Sequence, residues 1–467
     1  MMIKLKKVLT LRTIVATSAG LTLASSSFVA AIQMAGFLAG DSAWIAIMVG
    51  GMLCLGAGAC FSELNGMLPS AAGIRLYFGR AFGDTVALAV SLLYMFVVMC
   101  VVGAESYVLG NILSEALPVV APVVWILFMF VVVTLMNIRG IRLAGNFQDM
   151  VTYGLMVSLI VLAFVGFYHT GFRFTTPVAP GGIVPVINAV AVGVFLYVGF
   201  EWVTPLAEEV TESRLIARGM LVAVGLLSII YSLITMAMTS AVPREAIAGS
   251  PVPLLVFARY VLGEAGVLWA VVICLASSIT TFNAGLISVS RFFYASAREN
   301  VLPRVFSKIS MRYFTPWVAI LGVLAVALIV SMLVLITGRY LVLLNTAAAM
   351  ESIVYAMSGA AVLVLRKKSP GLPRPYIVAG GAAVPVLTIA VFFLLALSVM
   401  AFDPVTAVSI LAGLGISFWY VMKVVPVLKE KNSARRPAAR RRPAPVSESQ
   451  PEAIPAGTDT GSKPEKV

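Results

Sequence analysis

Val194-Phe195-Leu196-Tyr197-Val198-Gly199-Phe200-Glu201-Trp202 sets a glycine and an acid inside an apolar run that extends from Val184 to Leu206. An ionised carboxylate in the middle of a membrane helix costs about 2.5–3.5 kcal/mol on insertion scales, so it requires a partner or a purpose. A purely structural acid pairs with a base on a neighbouring helix, and the apolar runs of this chain hold very few bases. Glycine weakens the helix at the same place. The stretch reads as an irregular membrane span that carries a functional acid.

The rest of the chain has the same character. Hydrophobic residues make up 60% of the sequence and charged ones 11%, which excludes an ordinary soluble domain. Apolar runs long enough to cross a bilayer fall at 13–38, 43–67, 84–113, 119–138, 147–168, 184–206, 217–242, 265–295, 317–337, 341–365, 377–401 and 404–427. The alternation of an outer-membrane barrel is absent. Twelve helical spans are therefore expected. With the N-terminus inside, 29 of the 33 lysines and arginines fall on inside segments, leaving Arg173, Arg244, Arg259 and Arg339 outside. This is a strong positive-inside pattern, and it places both termini in the cytoplasm. The net charge of +13 follows from topology and calls for no nucleic-acid partner.

The N-terminal lysines, apolar stretch and Ser27-Phe28-Val29-Ala30-Ala31 resemble a cleavable secretory signal. Its removal would leave eleven spans and spoil the charge alternation, so the segment is read as the first span. Cys54, Cys60, Cys100 and Cys274 lie in apolar spans without metal-ligand spacing, and His169 is the sole histidine. No metal site, histidine-based enzyme centre or cofactor is expected. No phosphate-cradling GxxxxGK[ST] motif is present to support ATP-driven pumping. Residues 428–467 are rich in Arg, Pro, Ser and Glu and read as a disordered basic tail near anionic lipid.

Two spans are internally irregular. The first holds Ala24-Ser25-Ser26-Ser27-Phe28, whose serines compete for backbone hydrogen bonds, and the sixth holds Gly199 and Glu201. They lie five spans apart, the pattern of an inverted-repeat transporter whose broken helices meet at the bilayer midplane.

Four motifs then resemble one family, the amino acid–polyamine–organocation permeases. Leu68-Pro69-Ser70-Ala71-Ala72-Gly73-Ile74-Arg75-Leu76-Tyr77 is similar to the family's Pro-x-x-Gly-Gly-x-Tyr loop, with Ala72 replacing one glycine. Phe195 to Glu209 resembles its sixth helix, and Arg291-Phe292-Phe293-Tyr294-Ala295-Ser296-Ala297-Arg298-Glu299-Asn300-Val301-Leu302-Pro303 the cytoplasmic end of its eighth. Leu365-Arg366-Lys367-Lys368-Ser369-Pro370-Gly371-Leu372-Pro373-Arg374-Pro375-Tyr376 resembles the loop after its tenth. The resemblance covers residues 10–425.

It implies an all-α integral membrane protein of twelve transmembrane helices with a LeuT-like five-plus-five inverted repeat and broken helices 1 and 6. The parts would be a cytoplasmic N-terminus (1–12), a first repeat (13–168), a second repeat (184–365), two further helices (377–427) and the tail. Substrate in the family binds between the two broken helices. The implied substrate-binding residues are Ala24, Ser25, Ser26, Ser27 and Phe28 on one side and Phe195, Tyr197, Gly199 and Glu201 on the other. Phe195 corresponds to an aromatic gate, with simple packing as the alternative. Glu201 corresponds to an acid linked to substrate release or proton sensing. Family members carry a glycine-rich run where this chain has Ala24 to Phe28, which leaves room for a substrate without a carboxylate.

Glu105 on the third span is a second intramembrane acid. Facing inward it would favour a cationic substrate and, beside Glu201, allow proton exchange; otherwise it is a gate residue near the outer mouth. Glu351 in the tenth span is a third acid, and Glu63 belongs near the inner end of the second. The fifth span has no lysine, Leu155 standing near the position where some relatives place one. Ser277 and Ser278, with Thr280 and Thr281, offer hydroxyls for a sodium site, or equally for helix packing. The function expected is secondary transport of an amino acid or organic amine across the cytoplasmic membrane by alternating access, coupled to protons or sodium. The alternatives are a polyamine or organic-cation carrier, an amino acid/amine exchanger and, more remotely, a non-transporting receptor. An enzyme is not expected. The partners are the small-molecule substrate and the lipid bilayer, and the oligomeric state is left open.

Overall fold

The structure, a computed structural model, describes residues 7–24, 38–116, 119–173, 183–243, 246–247 and 253–434. In chain order its helices are α1 (Leu11–Thr22), α2 (Ala43–Met67), α3 (Ile74–Phe82), α4 (Asp84–Ala116), α5 (Pro122–Arg139), α6 (Ile141–His169) and α7 (Ile183–Phe195). After a 3-10 segment, Phe200–Glu208, follow α8 (Arg214–Ala241), α9 (Pro253–Arg298), α10 (Trp317–Thr337), α11 (Tyr340–Lys368), α12 (Ala383–Phe402) and α13 (Pro404–Ala434).

Ten helices among the described residues are long and apolar enough to cross a membrane: α2, α4, α5, α6 and α8 to α13. The expected spans missing from that set are 13–38 and 184–206, the two with irregular sequence. α1 stops after 12 residues. α7 stops after 13, at Phe195, and Gly199 then takes a left-handed φ of +105° before the 3-10 segment begins. A residue with a Cβ is strained at that φ, so glycine permits the break.

Within α9, Gly263 (φ +62°, ψ −143°) is non-helical and joins two helices at a kink, so a separate short helix, 253–262, precedes the expected eighth span. The loop after the second span contains α3, whose Ile74, Tyr77, Phe78 and Ala81 recur at helical spacing and are buried.

α1 packs among α8, α6 and α9, α2 lies along α8 and α7, α4 along α10, and α11 along α12. One continuous core contains Ile14, Phe61, Leu196, Phe200 and Tyr355. The outer faces are apolar as well: Leu387, Phe393 and Leu394 of α12 and Val408, Leu411 and Trp419 of α13 are exposed. In water such faces would be a liability; in a bilayer they meet lipid. At one end of the bundle α1 and the 3-10 segment are tied through the backbone. Val8 and Leu9 N–H donate to the Glu209 carbonyl at 2.9 and 3.0 Å, and Leu9 forms a parallel bridge with Val210.

Candidate functional site

The ends of α1 and α7 face each other. Ser18 Oγ donates to the Phe200 carbonyl at 2.8 Å, and Leu21 packs against Gly199, where an added Cβ would lie 3.2 Å from Leu21 Cγ. The last carbonyls of a helix lack intrahelical partners. Here hydroxyls from two other helices supply them. Tyr231 of α8 donates to Thr22 O at 3.1 Å, and Thr281 of α9 to Gly20 O at 3.1 Å. Ser277 of α9 donates to Leu23 O.

Beside these ends is a cavity of about 20 Å³, room for a single water. Thr22 and Ala24 line it from α1, Phe195 and Gly199 from the α7 break, Val102 from α4 and Glu351 from α11. The structure thus brings Ala24, Phe195 and Gly199 of the sequence-derived site to one cavity. Ser25, Ser26, Ser27 and Phe28 lie outside the described residues.

Glu201 is fully buried behind this cavity. Tyr94 of α4 donates to its Oε1, and Tyr355 of α11 donates to its Oε2 at 2.6 Å. Tyr355 Oη also accepts the Gly199 N–H at 3.1 Å, so one phenol links the break to the acid. Glu351 is 2% exposed, and its Oε2 has no hydrogen-bond partner among the described residues. Neither Glu201 nor Glu351 forms an ion pair among the described residues. The site therefore holds two buried acids with no base among the described residues, and tyrosine hydroxyls serve one of them, Glu201.

The other residues singled out in the sequence occupy different surroundings. Glu105 is fully buried and accepts from Ser278 Oγ at 2.7 Å, joining α4 to α9. Tyr197 turns its hydroxyl to the Ile47 carbonyl of α2 at 3.0 Å and packs against Tyr231, outside the cavity lining. Ser277 acts as one of the α1 caps. Leu155 is buried in α6, while Gln148 and Thr152 of the same helix donate to Ala16 O at 3.2 Å each.

Tyr94 and Tyr355 were not among the residues picked from sequence. A tyrosine in an apolar helix normally signals packing, so Tyr94 gives no warning of its role. Tyr355 does leave a trace, because it follows Glu351 by one helical turn and shares its face.

At the end of the bundle that holds the α1–3-10 tie, acids are paired with arginines. Glu63 accepts from Arg366 Nε and Nη2 at 2.9 and 2.6 Å and from the Val378 N–H at 2.8 Å. Glu208 pairs with Arg298 at 2.6 Å, and Arg75 with Glu299. Arg291 and Glu209 form a fully buried pair at 2.8 Å.

A helical bundle of this hydropathy, in which two short helices, α1 and α7, end at a small and largely apolar cavity, defines a multi-pass membrane protein. Residues 9–428 match the family described as amino acid permease, and the chain belongs to that family. It is similar to the human Asc-type amino acid transporter 1, 24% identical over 354 residues, covering 72% of this chain and 66% of the relative. The human large neutral amino acids transporter small subunit 2 is 26% identical over 352 residues, 71% of this chain and 64% of the relative. The branched-chain amino acid permease of Bacillus subtilis is 27% identical over 379 residues, 75% and 79% of the two chains. The matched part of the chain spans just under two thirds of each human relative's length.

Proposed function

We propose that the chain is a secondary transporter that moves an amino acid or organic amine across the cytoplasmic membrane by alternating access. One observation carries this reading: the cavity is lined from both interrupted helix ends, by Thr22 and Ala24 on one side and by Phe195 and Gly199 on the other. Backbone groups at such ends, held here by hydroxyls, bind charged substrate groups where water is scarce. The permease family and its amino acid transporter relatives support an amino acid or a related amine as substrate.

In this proposal the chain has twelve spans, counting the interrupted first and sixth, arranged as a LeuT-like five-plus-five repeat with 377–427 outside it. Both termini lie in the cytoplasm, the side that carries most of the lysines and arginines. Substrate sits between Ala24 to Phe28 and Phe195 to Glu201, Phe195 closes over it, and Glu201 couples binding to a proton. A proton is favoured over sodium because Glu201 and Glu351 meet no base among the described residues.

Counterflow in proteoliposomes loaded with neutral and basic amino acids and diamines tests the proposal, with imposed pH or sodium gradients as separate arms. Accumulation driven by the pH gradient is expected. No exchange of any of these solutes would end the transporter reading and leave a receptor, whereas a requirement for sodium would replace only the coupling ion.

A further inference from the structure

Glu351 is the part of the cavity that transport by a generic permease does not explain. It projects from α11 one turn before Tyr355, is almost wholly buried, and lines the cavity together with Phe195. Its Oε2 has no hydrogen-bond partner among the described residues. A buried polar atom left unpaired costs about 1–3 kcal/mol, and an ionised one more. The fold holds this cost in place, at the wall of a cavity, beside a second acid.

The titratable groups that act on Glu351 are Glu201 of the 3-10 segment, Tyr94 of α4, Tyr355 of its own helix and Cys54 of α2. α12, packed along α11, contributes no titratable side chain, and neither does the α1 end, Ser18 to Ala24. All four of those groups are neutral or negative; none is a base. Two carboxylates cannot both ionise in such surroundings without a cation. Glu201 has both oxygens engaged as acceptors from tyrosine hydroxyls, the arrangement that suits a carboxylate. The proton of the pair therefore rests on Glu351, whose free oxygen has no donor to accept from, and the charge of Glu201 beside it sets how readily that proton leaves.

We propose that Glu351 is the cation-recognition residue of the cavity, and that the substrate is a solute of net positive charge: a diamine, a polyamine or a basic amino acid. Binding exchanges one proton for one ammonium. The substrate R–NH3+ meets the Glu351 carboxylic acid, the Glu351 O–H bond breaks, R–NH3+ pairs with the resulting carboxylate, and H+ leaves to solvent. Charge and atoms balance without any further reactant. Phe195 lines the same cavity and supplies an aromatic side chain within it for the same cation. A zwitterion is a poorer fit, because it brings no net positive charge to a site that already contains two acids. The inference rests on the transporter reading above and narrows its substrate class.

The test uses the full chain reconstituted in liposomes or nanodiscs, with putrescine, L-lysine and L-leucine as probes. Titration calorimetry in two buffers of different ionisation enthalpy counts protons, and uptake is measured on the same preparations. Putrescine or L-lysine should bind at least about tenfold more tightly than L-leucine, with close to one proton released per cation bound. Glu351→Gln should weaken cation binding by about tenfold or more and abolish the proton release, and Glu351→Asp should restore part of both. Equal or tighter binding of L-leucine overturns the inference, as does cation binding without proton release, and both readouts come from the unmodified protein. In either case uptake of L-leucine would leave the transporter reading standing. Failure of all three probes to bind or be taken up would remove both.

Discussion

The acids of this protein live under two regimes. At one end of the bundle Glu63, Glu208, Glu209 and Glu299 are matched to arginines, and the Arg291–Glu209 pair is fully buried. In the cavity region Glu201 is held by two phenols, and Glu351 by nothing among the described residues at its Oε2. A buried ion pair is electrically complete and resists change. An acid held by hydroxyls is solvated enough to survive in the fold, yet it can gain or lose a proton, or take a cation, without breaking a pair. The same side chain is structural at one end of α11, where Arg366 serves Glu63, and exchangeable at Glu351 on the same helix.

The comparison breaks most severely at Arg291. Arg291→Met strands Glu209 in the core and should cost about 3–5 kcal/mol, read as a fall in thermal stability in detergent. Adding Glu209→Leu should recover most of it, and a single variant as stable as the parent would dissolve the contrast. Tyr355→Phe comes next, at about 1.5–3 kcal/mol for a hydrogen bond to a charged group. It deletes the bonds to Glu201 and to the Gly199 N–H together, so transport should fall along with stability. An unaffected uptake rate would detach the phenol from the site.

Gly199→Ala forces a Cβ into a left-handed conformation against Leu21 and should cost roughly 1–2 kcal/mol. Its sharper readout is uptake, which should drop further than expression of the folded protein does. Glu201→Gln preserves shape but turns one acceptor oxygen into a donor, so it should cost about 1 kcal/mol, and it should flatten the dependence of uptake on pH. A profile parallel to that of the parent would take Glu201 out of coupling.

The smallest effect belongs to an acid in neither regime. Asp403, between α12 and α13, accepts from Thr406 Oγ1 at 2.7 Å, from Asn345 at 3.1 Å and from the Val405 N–H at 3.1 Å. The Thr406 hydrogen bond first, and then that of Asn345, hold its carboxyl below the ordinary carboxylate value. A depressed value means that the stabilisation is present above the unfolded-state pKa, about 3.9, and is lost as pH falls through the folded one. The Tm gap between the parent and Asp403→Asn should therefore narrow on acidification below about pH 4. A gap that widened there would reverse the assignment.

Hydropathy alone made the ten continuous spans legible, because a bilayer demands an apolar run of fixed length. The end of α7 was legible for a complementary reason: Gly199 interrupts a run that would otherwise be uniform, while the serines after Ala24 lie outside the described residues. α3 was not, since nine residues of a basic amphipathic helix carry too little hydropathy to separate from a loop. At the site, Glu201 and Glu351 stood out because an acid in a span is expensive. Tyr94 did not, because its meeting with a residue 107 positions away depends on how α4 crosses the 3-10 segment. Tyr197, adjacent in sequence to the break, points to α2 instead, since the turn after Phe195 rotates it away from the cavity.

The hydroxyl caps on α1 have a consequence for how the protein is made. Tyr231, Ser277 and Thr281 lie 209, 254 and 261 residues after the carbonyls they serve. During synthesis and insertion α1 must therefore wait, its last turn unsatisfied in or near lipid, until more than half of the chain has followed it. A nascent chain stopped before α9 should hold α1 in a conformation open to membrane-integral quality control, and the arrival of α9 should end that exposure.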